Sequence, residues 1–210
     1  LVVERQPLWL DYRGTQLLTN PPPSAGGGLI ACSLALLADC GLGNFGSPGH
    51  LRSLSQVMRL TNVARRDGYD TRIHQSDVAN DFLSTAHLEP YRRELGSAIA
   101  SLTSTVNKLG STTHLSVIDD DGNAASVTTS NGEGSSYVLP GTGTMANNML
   151  GEEDLNPLGF HQWTPNQRMS SMMAPTMVLR DGRPYLVLGS GGSNRIRTAI
   201  LQVIANLVDF

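Results

Sequence analysis

The spacing of apolar residues along this chain changes from helical to alternating near its midpoint. Leu29, Ile30, Cys32, Leu36, Leu37 and Cys40 form a helical run that Gly41 is placed to stop. Leu51, Leu54, Val57, Met58 and Thr61 recur at helical spacing and predict an amphipathic helix over 51–66. Residues 67–90 are polar with weak helix signals, and 91–109 read as partly helical. Residues 1–20 read as extended, with a turn at Asp11-Tyr12-Arg13-Gly14. From Thr112 the period becomes that of strands. Thr112–Ile118 and Ala124–Ser130 predict a hairpin across the acidic turn Asp119–Asn123. Met177–Arg180 and Tyr185–Leu188 predict a second hairpin around Asp181-Gly182-Arg183. A helix follows, carrying Ile196, Ile200, Val203, Ile204 and Leu207.

Two stretches punctuate this pattern. In Pro21-Pro22-Pro23-Ser24-Ala25-Gly26-Gly27-Gly28 the three prolines cannot form a helix interior, and the three glycines permit unusual backbone angles. Because an apolar run starts at once after this stretch, it reads as an ordered turn into a helix. Gly189-Ser190-Gly191-Gly192-Ser193 joins a strand to a helix. Such a turn can present backbone N–H groups to a phosphate or to the oxyanion of a tetrahedral intermediate. It lacks the lysine of a P-loop and the spacing of a dinucleotide fingerprint. By shape alone a tight turn with no ligand is the better explanation.

Composition narrows the classes. The chain has 210 residues and 22 glycines, few aromatics and few charges, which suits a compact α/β protein with many tight turns. A net charge of −3 gives no electrostatic reason to expect nucleic acid or an anionic membrane surface. No apolar run is long enough to span a bilayer. Cys32 and Cys40 fall in one predicted helix, separated by a rise of about 12 Å, too far for a disulfide. The five histidines form no metal-ligand pair and there is no cysteine cluster, so neither metal nor cofactor is expected. Neither end carries an initiating methionine or a signal-peptide layout, and both read as cuts through a longer protein. With apolar surface exposed at such cuts, the segment alone is expected to be poorly stable.

Thr112 at the head of a hairpin and the hydroxyl pair Ser170-Ser171 acquire meaning only from the order of the motifs. Asp11–Gly14 is followed by Pro21–Gly27, then Thr112-Thr113-His114-Leu115-Ser116-Val117 and Asp121–Ala124. Asn147-Asn148-Met149, Ser170-Ser171-Met172, Ala174-Pro175-Thr176 and Gly189–Ser193 complete the series. In this order the motifs resemble the gamma-glutamyltransferase family of N-terminal nucleophile hydrolases, over nearly the whole chain except for a loose match across 45–105.

The resemblance implies an α+β fold, the four-layer αββα sandwich of those hydrolases, incomplete at both ends. It implies a large-subunit part, 1–111, and a small-subunit part, 112–210, separated by autocatalytic cleavage of the Ser111–Thr112 bond. A threonine hydroxyl is a weak nucleophile until a base takes its proton. The α-amine freed by cleavage, with a reference pKa near 8, can be that base, whereas the amide of the uncut chain cannot. Carried over residue by residue, Thr112 is the nucleophile and Ser130 its hydroxyl partner. The backbone N–H groups of Gly192 and Ser193, after Gly191, form the oxyanion hole. Ser170 and Ser171 bind an α-carboxylate, and Glu152 an α-ammonium, with Asn131 or Glu133 as a further ammonium ligand. Met149 stands where the family has a polar residue. The implied partners are a small gamma-glutamyl amide of the glutathione kind, with water or an amino acid as acceptor. The family setting is periplasmic or extracellular. Two other readings stay open: an acylase on glutaryl groups of cephalosporin derivatives, and a non-catalytic binding relative.

Overall fold

A computed structural model describes residues 2–95, 112–152, 155–156 and 158–210. Strands β1 (Leu8–Tyr12) and β2 (Thr15–Thr19) form a tight hairpin, as the alternation near the start implies. β2 pairs antiparallel with β5 (Thr176–Arg180), and β5 with β6 (Arg183–Leu188), giving a four-stranded sheet in the order β1-β2-β5-β6. The β5–β6 turn uses left-handed backbone at Asp181 and Gly182, the conformation that keeps the twist of a two-residue hairpin. β3 (Thr112–Ile118) and β4 (Ala124–Ser130) form a separate two-stranded sheet with the expected bounds.

One helix organises the core. α1 (Ala25–Leu37) is buried on every face except at Ala35, wedged among the β1–β2 hairpin, α2 (Pro48–Ala64) and α6 (Arg195–Val208). Its glycines are there for close approach. A methyl group on Gly26 would strike the Met172 carbonyl, one on Gly27 the Asn20 backbone, and one on Gly28 the Tyr69 phenol. None of the three has a left-handed φ. Gly26–Gly28, in the first turn of α1, therefore work by their small size, where the sequence suggested unusual backbone angles.

Several helix boundaries differ from the sequence pattern. α1 ends at Leu37, so Cys40 lies beyond it and the two cysteines do not share a helix. Arg13 reaches across from the β1–β2 turn and donates to the carbonyls of Leu37, Ala38 and Cys40, satisfying acceptors that a helix end leaves open. Both thiols are free; burial pushes that of Cys32 up to about 12. α2 begins three residues before its first periodic apolar residue, because Ser47 accepts from the His50 N–H and Pro48 occupies the first turn. Residues 65–95 are a wide turn (Arg65–Tyr69) followed by three short helices, α3 (Asp70–Arg72), α4 (Val78–Leu83) and α5 (Thr85–Leu95). The partly helical reading of 91–109 is met as far as Leu95; the remainder, and Ser111, lie outside the described residues.

The β3–β4 hairpin lies across β6, on the sheet face opposite the helices. Ser126 donates to the Leu188 carbonyl at 3.3 Å and shares a cleft with Leu18 and Met177, which alternate with the core residues Leu17 and Val178. A helical layer, the four-stranded sheet and the hairpin thus stack in three layers. The hairpin's other face carries Leu115, Val117 and Val127, all exposed. At the chain's far end the Tyr12 hydroxyl donates to Asp209 at 2.6 Å, and Arg13 pairs with the same carboxylate at 2.8 Å. This latch fixes the end of α6 to the first hairpin.

Candidate active site

The hairpin register creates the first element of the site. Asp119 closes the turn by accepting from the Asn123 N–H and side-chain amide, each at 2.8 Å, which sets Ile118 opposite Ala124. Counting back, Thr112 falls opposite Ser130. Strand partners on one face bring their side chains together, and the Thr112 hydroxyl donates to the Ser130 hydroxyl oxygen at 3.3 Å. Ser130 also accepts from the Gly132 N–H at 3.0 Å. Its oxygen is thereby held as an acceptor toward Thr112.

The glycine turn after β6 closes the second side. Gly191 packs so tightly on Thr112 that an added methyl would strike the Thr112 carbonyl and lie 3.3 Å from its Cβ. Gly192 and Ser193 have φ of 115° and 52°, a left-handed pair that bends the chain into α6. Their carbonyls receive the first N–H groups of that helix, from Arg195 and Ile196. His114, two residues along from Thr112 on the same face, packs beneath Gly189. Its ring nitrogens bond the hydroxyls of Thr128 and Ser116 at 2.8 Å each. Loss of solvent lowers its pKa.

A loop supplies the third side. Asn148 accepts through Oδ1 from the N–H groups of Glu133 and Gly134, at 2.8 and 3.1 Å, and so folds 131–134 over the single turn Met149–Gly151. Gly132, at φ 66°, leaves room for the Glu152 carboxylate, which a methyl there would meet at 2.7 Å. Opposite, Ala25 donates to the Ser171 carbonyl at 2.8 Å and Ser24 to that of Met173 at 2.6 Å, fixing 171–173 to the start of α1.

These parts enclose a narrow cavity of about 40 Å³ lined by Thr112, Ser130, Glu152, Ser171 and Ser193 together with Gly132, Met149 and Met172. That volume holds a water or a carbonyl group beside Thr112. Of the residues singled out in the sequence, Thr112, Ser130, Met149, Glu152, Ser171 and Ser193 line this cavity, and Gly191 and Gly192 belong to the turn beside it. Ser170 does not: it is buried and faces a second cavity of about 430 Å³, lined also by Asn156, His74 and Trp163. Asn131 directs its amide to the Met145 carbonyl at 3.4 Å, and Glu133 is exposed; neither lines the nucleophile cavity. Sequence reasoning passed over Gly132, Leu155 and Ile196, whose contributions depend on long-range packing, and left Met172 as a motif member without a role. Among the described residues no group of three histidine, cysteine, aspartate or glutamate side chains could hold a metal, and no helix is long and apolar enough to cross a membrane.

The layered fold and a threonine heading a hairpin beside a glycine turn define an α+β protein of the N-terminal nucleophile hydrolase type. A cephalosporin acylase structure from Bacillus halodurans superposes with a TM-score of 0.77 at 24% identity, over 98% of this chain and 38% of that one. The gamma-glutamyltranspeptidase family model matches residues 1–210, and the chain belongs to that family of enzymes. The glutathione hydrolase proenzyme of Escherichia coli is 30% identical over 239 residues, which cover 99% of this chain. The acylase ACY 1 proenzyme of Pseudomonas sp. strain V22 is 33% identical over 218 residues, covering 98%. The chain spans about 40% of the length of such relatives.

Proposed function

We propose that this chain carries the catalytic threonine of a gamma-glutamyl hydrolase or transferase, in which Thr112 becomes an N-terminus by cleavage of the Ser111–Thr112 bond. The Thr112 hydroxyl would add to the Ser111 carbonyl. Collapse of the adduct would break the C–N bond and free the Thr112 amine as an ester forms on its oxygen, and hydrolysis of that ester would release the hydroxyl and separate the two chains. Residues 1–111 and 112–210 then belong to two subunits of one precursor, a reading supported by the proenzyme names of the relatives. The observation that carries the proposal is the gathering of Thr112, Ser130, Glu152, Ser171 and Ser193 around one cavity in a member of this family.

The chemistry follows from the atoms. The freed α-amine takes the proton of the Thr112 hydroxyl as that oxygen attacks the γ-carbonyl carbon. Ser130, held as an acceptor, aligns the hydroxyl for attack. The N–H groups of Gly192 and Ser193 stabilise the oxyanion; one such donor is worth about 10²–10³ in rate. Collapse expels the leaving amine, which takes the proton from the α-ammonium. Water or an amino-acid amine then attacks the ester and returns Thr112. Glu152 attracts the α-ammonium of the donor and Ser171 binds its α-carboxylate. Ser170 faces the other cavity and acts on the donor only through that segment.

A second reading is favoured by Met149, an apolar side chain on the cavity wall, and by the acylase relatives: hydrolysis of a glutaryl amide, which carries no α-amine. Glu152 on the same wall favours the gamma-glutamyl donor. Hydrolysis of gamma-glutamyl and glutaryl p-nitroanilides by the full-length protein separates the two. Preference for the gamma-glutamyl compound, lost in Glu152→Gln, supports the first reading. Equal or better use of the glutaryl compound refutes it in favour of the second.

A further inference from the structure

Asn156 follows Glu152 by four residues and takes no part in the chemistry above. It is buried, and both its amide nitrogen and its amide oxygen are bonded to protein. Nδ2 donates to the Leu150 carbonyl at 3.0 Å and to the Glu152 carbonyl at 2.7 Å. Oδ1 accepts from the Trp163 indole N–H at 2.9 Å. The Glu152 carbonyl also receives the Leu155 N–H at 3.1 Å, so the peptide that carries the acidic side chain is held by two donors.

The wall between the two cavities gives this arrangement its meaning. Leu155 and Ser171 face the nucleophile cavity, while their neighbours Asn156 and Ser170 face the larger one. Trp163 also lines the larger cavity, edge-on to His74 with ring centroids 6.1 Å apart. It does not line the nucleophile cavity. The Trp163–Asn156–Glu152 chain of hydrogen bonds therefore crosses the partition.

We propose that Asn156 is a positioning residue for donor recognition: by holding the Glu152 main chain it sets the carboxylate over Gly132, and it ties that peptide to Trp163, so the acid and the wall of the second cavity move together. The inference rests on the functional reading above in assigning Glu152 to the donor's ammonium. A buried amide that loses its partners gives up about 1–3 kcal/mol. A carboxylate displaced by about 1 Å loses most of a directed contact. Donor affinity should therefore suffer before chemistry does.

The test is steady-state kinetics of the full-length protein with gamma-glutamyl and glutaryl p-nitroanilides. Asn156→Asp keeps the acceptor for Trp163 and removes the donors to Leu150 and Glu152. It should raise KM for the gamma-glutamyl donor about tenfold, with kcat within about threefold. KM for the glutaryl compound, which has no ammonium, should stay unchanged. Trp163→Phe removes the indole N–H and part of the ring while keeping an aromatic side chain, and should raise the same KM by about two- to fivefold. An unchanged gamma-glutamyl KM in both variants, or an equal rise for both donors, overturns the proposal. If Asn156→Asp does not fold, Trp163→Phe decides by the same criterion. Wild-type protein that cleaves neither donor refutes the functional reading instead. The tie is then read by hydrogen exchange across 149–156: faster exchange in Trp163→Phe upholds it, and unchanged exchange overturns it.

Discussion

Gly191→Ala places a single methyl group where the nucleophile and the glycine turn meet. The new carbon would lie inside contact distance of the Thr112 carbonyl oxygen, 3.2 Å from its carbonyl carbon and 3.3 Å from its Cβ. All three are backbone or Cβ atoms, so no rotamer change relieves the overlap. Ordinary carbon contacts sit at about 3.5–4.0 Å, and the turn must retreat by about 1 Å. Gly191 has no left-handed φ, so the cost is steric and not conformational. Overpacking of this kind costs about 1–3 kcal/mol of stability. A displacement of about 1 Å between reacting groups costs about 10²-fold in rate. The assay is kcat for gamma-glutamyl p-nitroanilide with thermal melting in parallel. Gly41→Ala is the control, because a methyl there meets nothing within 4 Å. A Gly191→Ala enzyme with kcat within twofold of wild type would refute the contact between turn and nucleophile.

Ser130→Ala removes the acceptor that orients the Thr112 hydroxyl and should lower kcat about tenfold, the worth of one hydrogen bond, whereas Ser130→Thr should retain most of it. His114 has its pKa lowered from 6.5 by desolvation, so the released chain binds the proton more readily than the docked hairpin. Hairpin docking should hold above pH 6.5 and weaken as pH falls below it; His114→Gln should abolish that acid sensitivity, measured as loss of kcat after brief incubation at each pH. The Tyr12 phenol is raised above its usual 10.0, by burial first and by the Asp209 carboxylate second. Its contribution should persist below pH 10 and fade as pH rises beyond; Tyr12→Phe should cost about 1.5–3 kcal/mol in denaturant melts at pH 7 and remove that alkaline dependence.

Hairpins and helices were legible because their signals are local. Alternation predicts the hairpin around Asp119–Asn123, while the pairing of Thr112 with Ser130 was implied by the family resemblance and is met by the register. The end of α1 was not legible, because the group that satisfies its last carbonyls, Arg13, is far away in sequence. The purpose of Gly26–Gly28 was misread for the same reason: their neighbours are Met172, Asn20 and Tyr69. In the site, motif order brought Thr112, Ser130, Glu152, Ser171 and Ser193 to one cavity. The separation of Ser170 from Ser171 was hidden, since adjacent residues in an extended segment face opposite ways. Asn156 and Trp163 carry no motif, and only the hydrogen bonds between them show the connection.

The central claim is that Thr112 becomes a chain terminus, and intact-mass spectrometry of the full-length protein tests it most directly. The account predicts two fragments whose masses place the break between Ser111 and Thr112, and a single uncut chain for Thr112→Ala. Wild-type protein that remains one chain after prolonged incubation, or that is cut at any other bond, would contradict it.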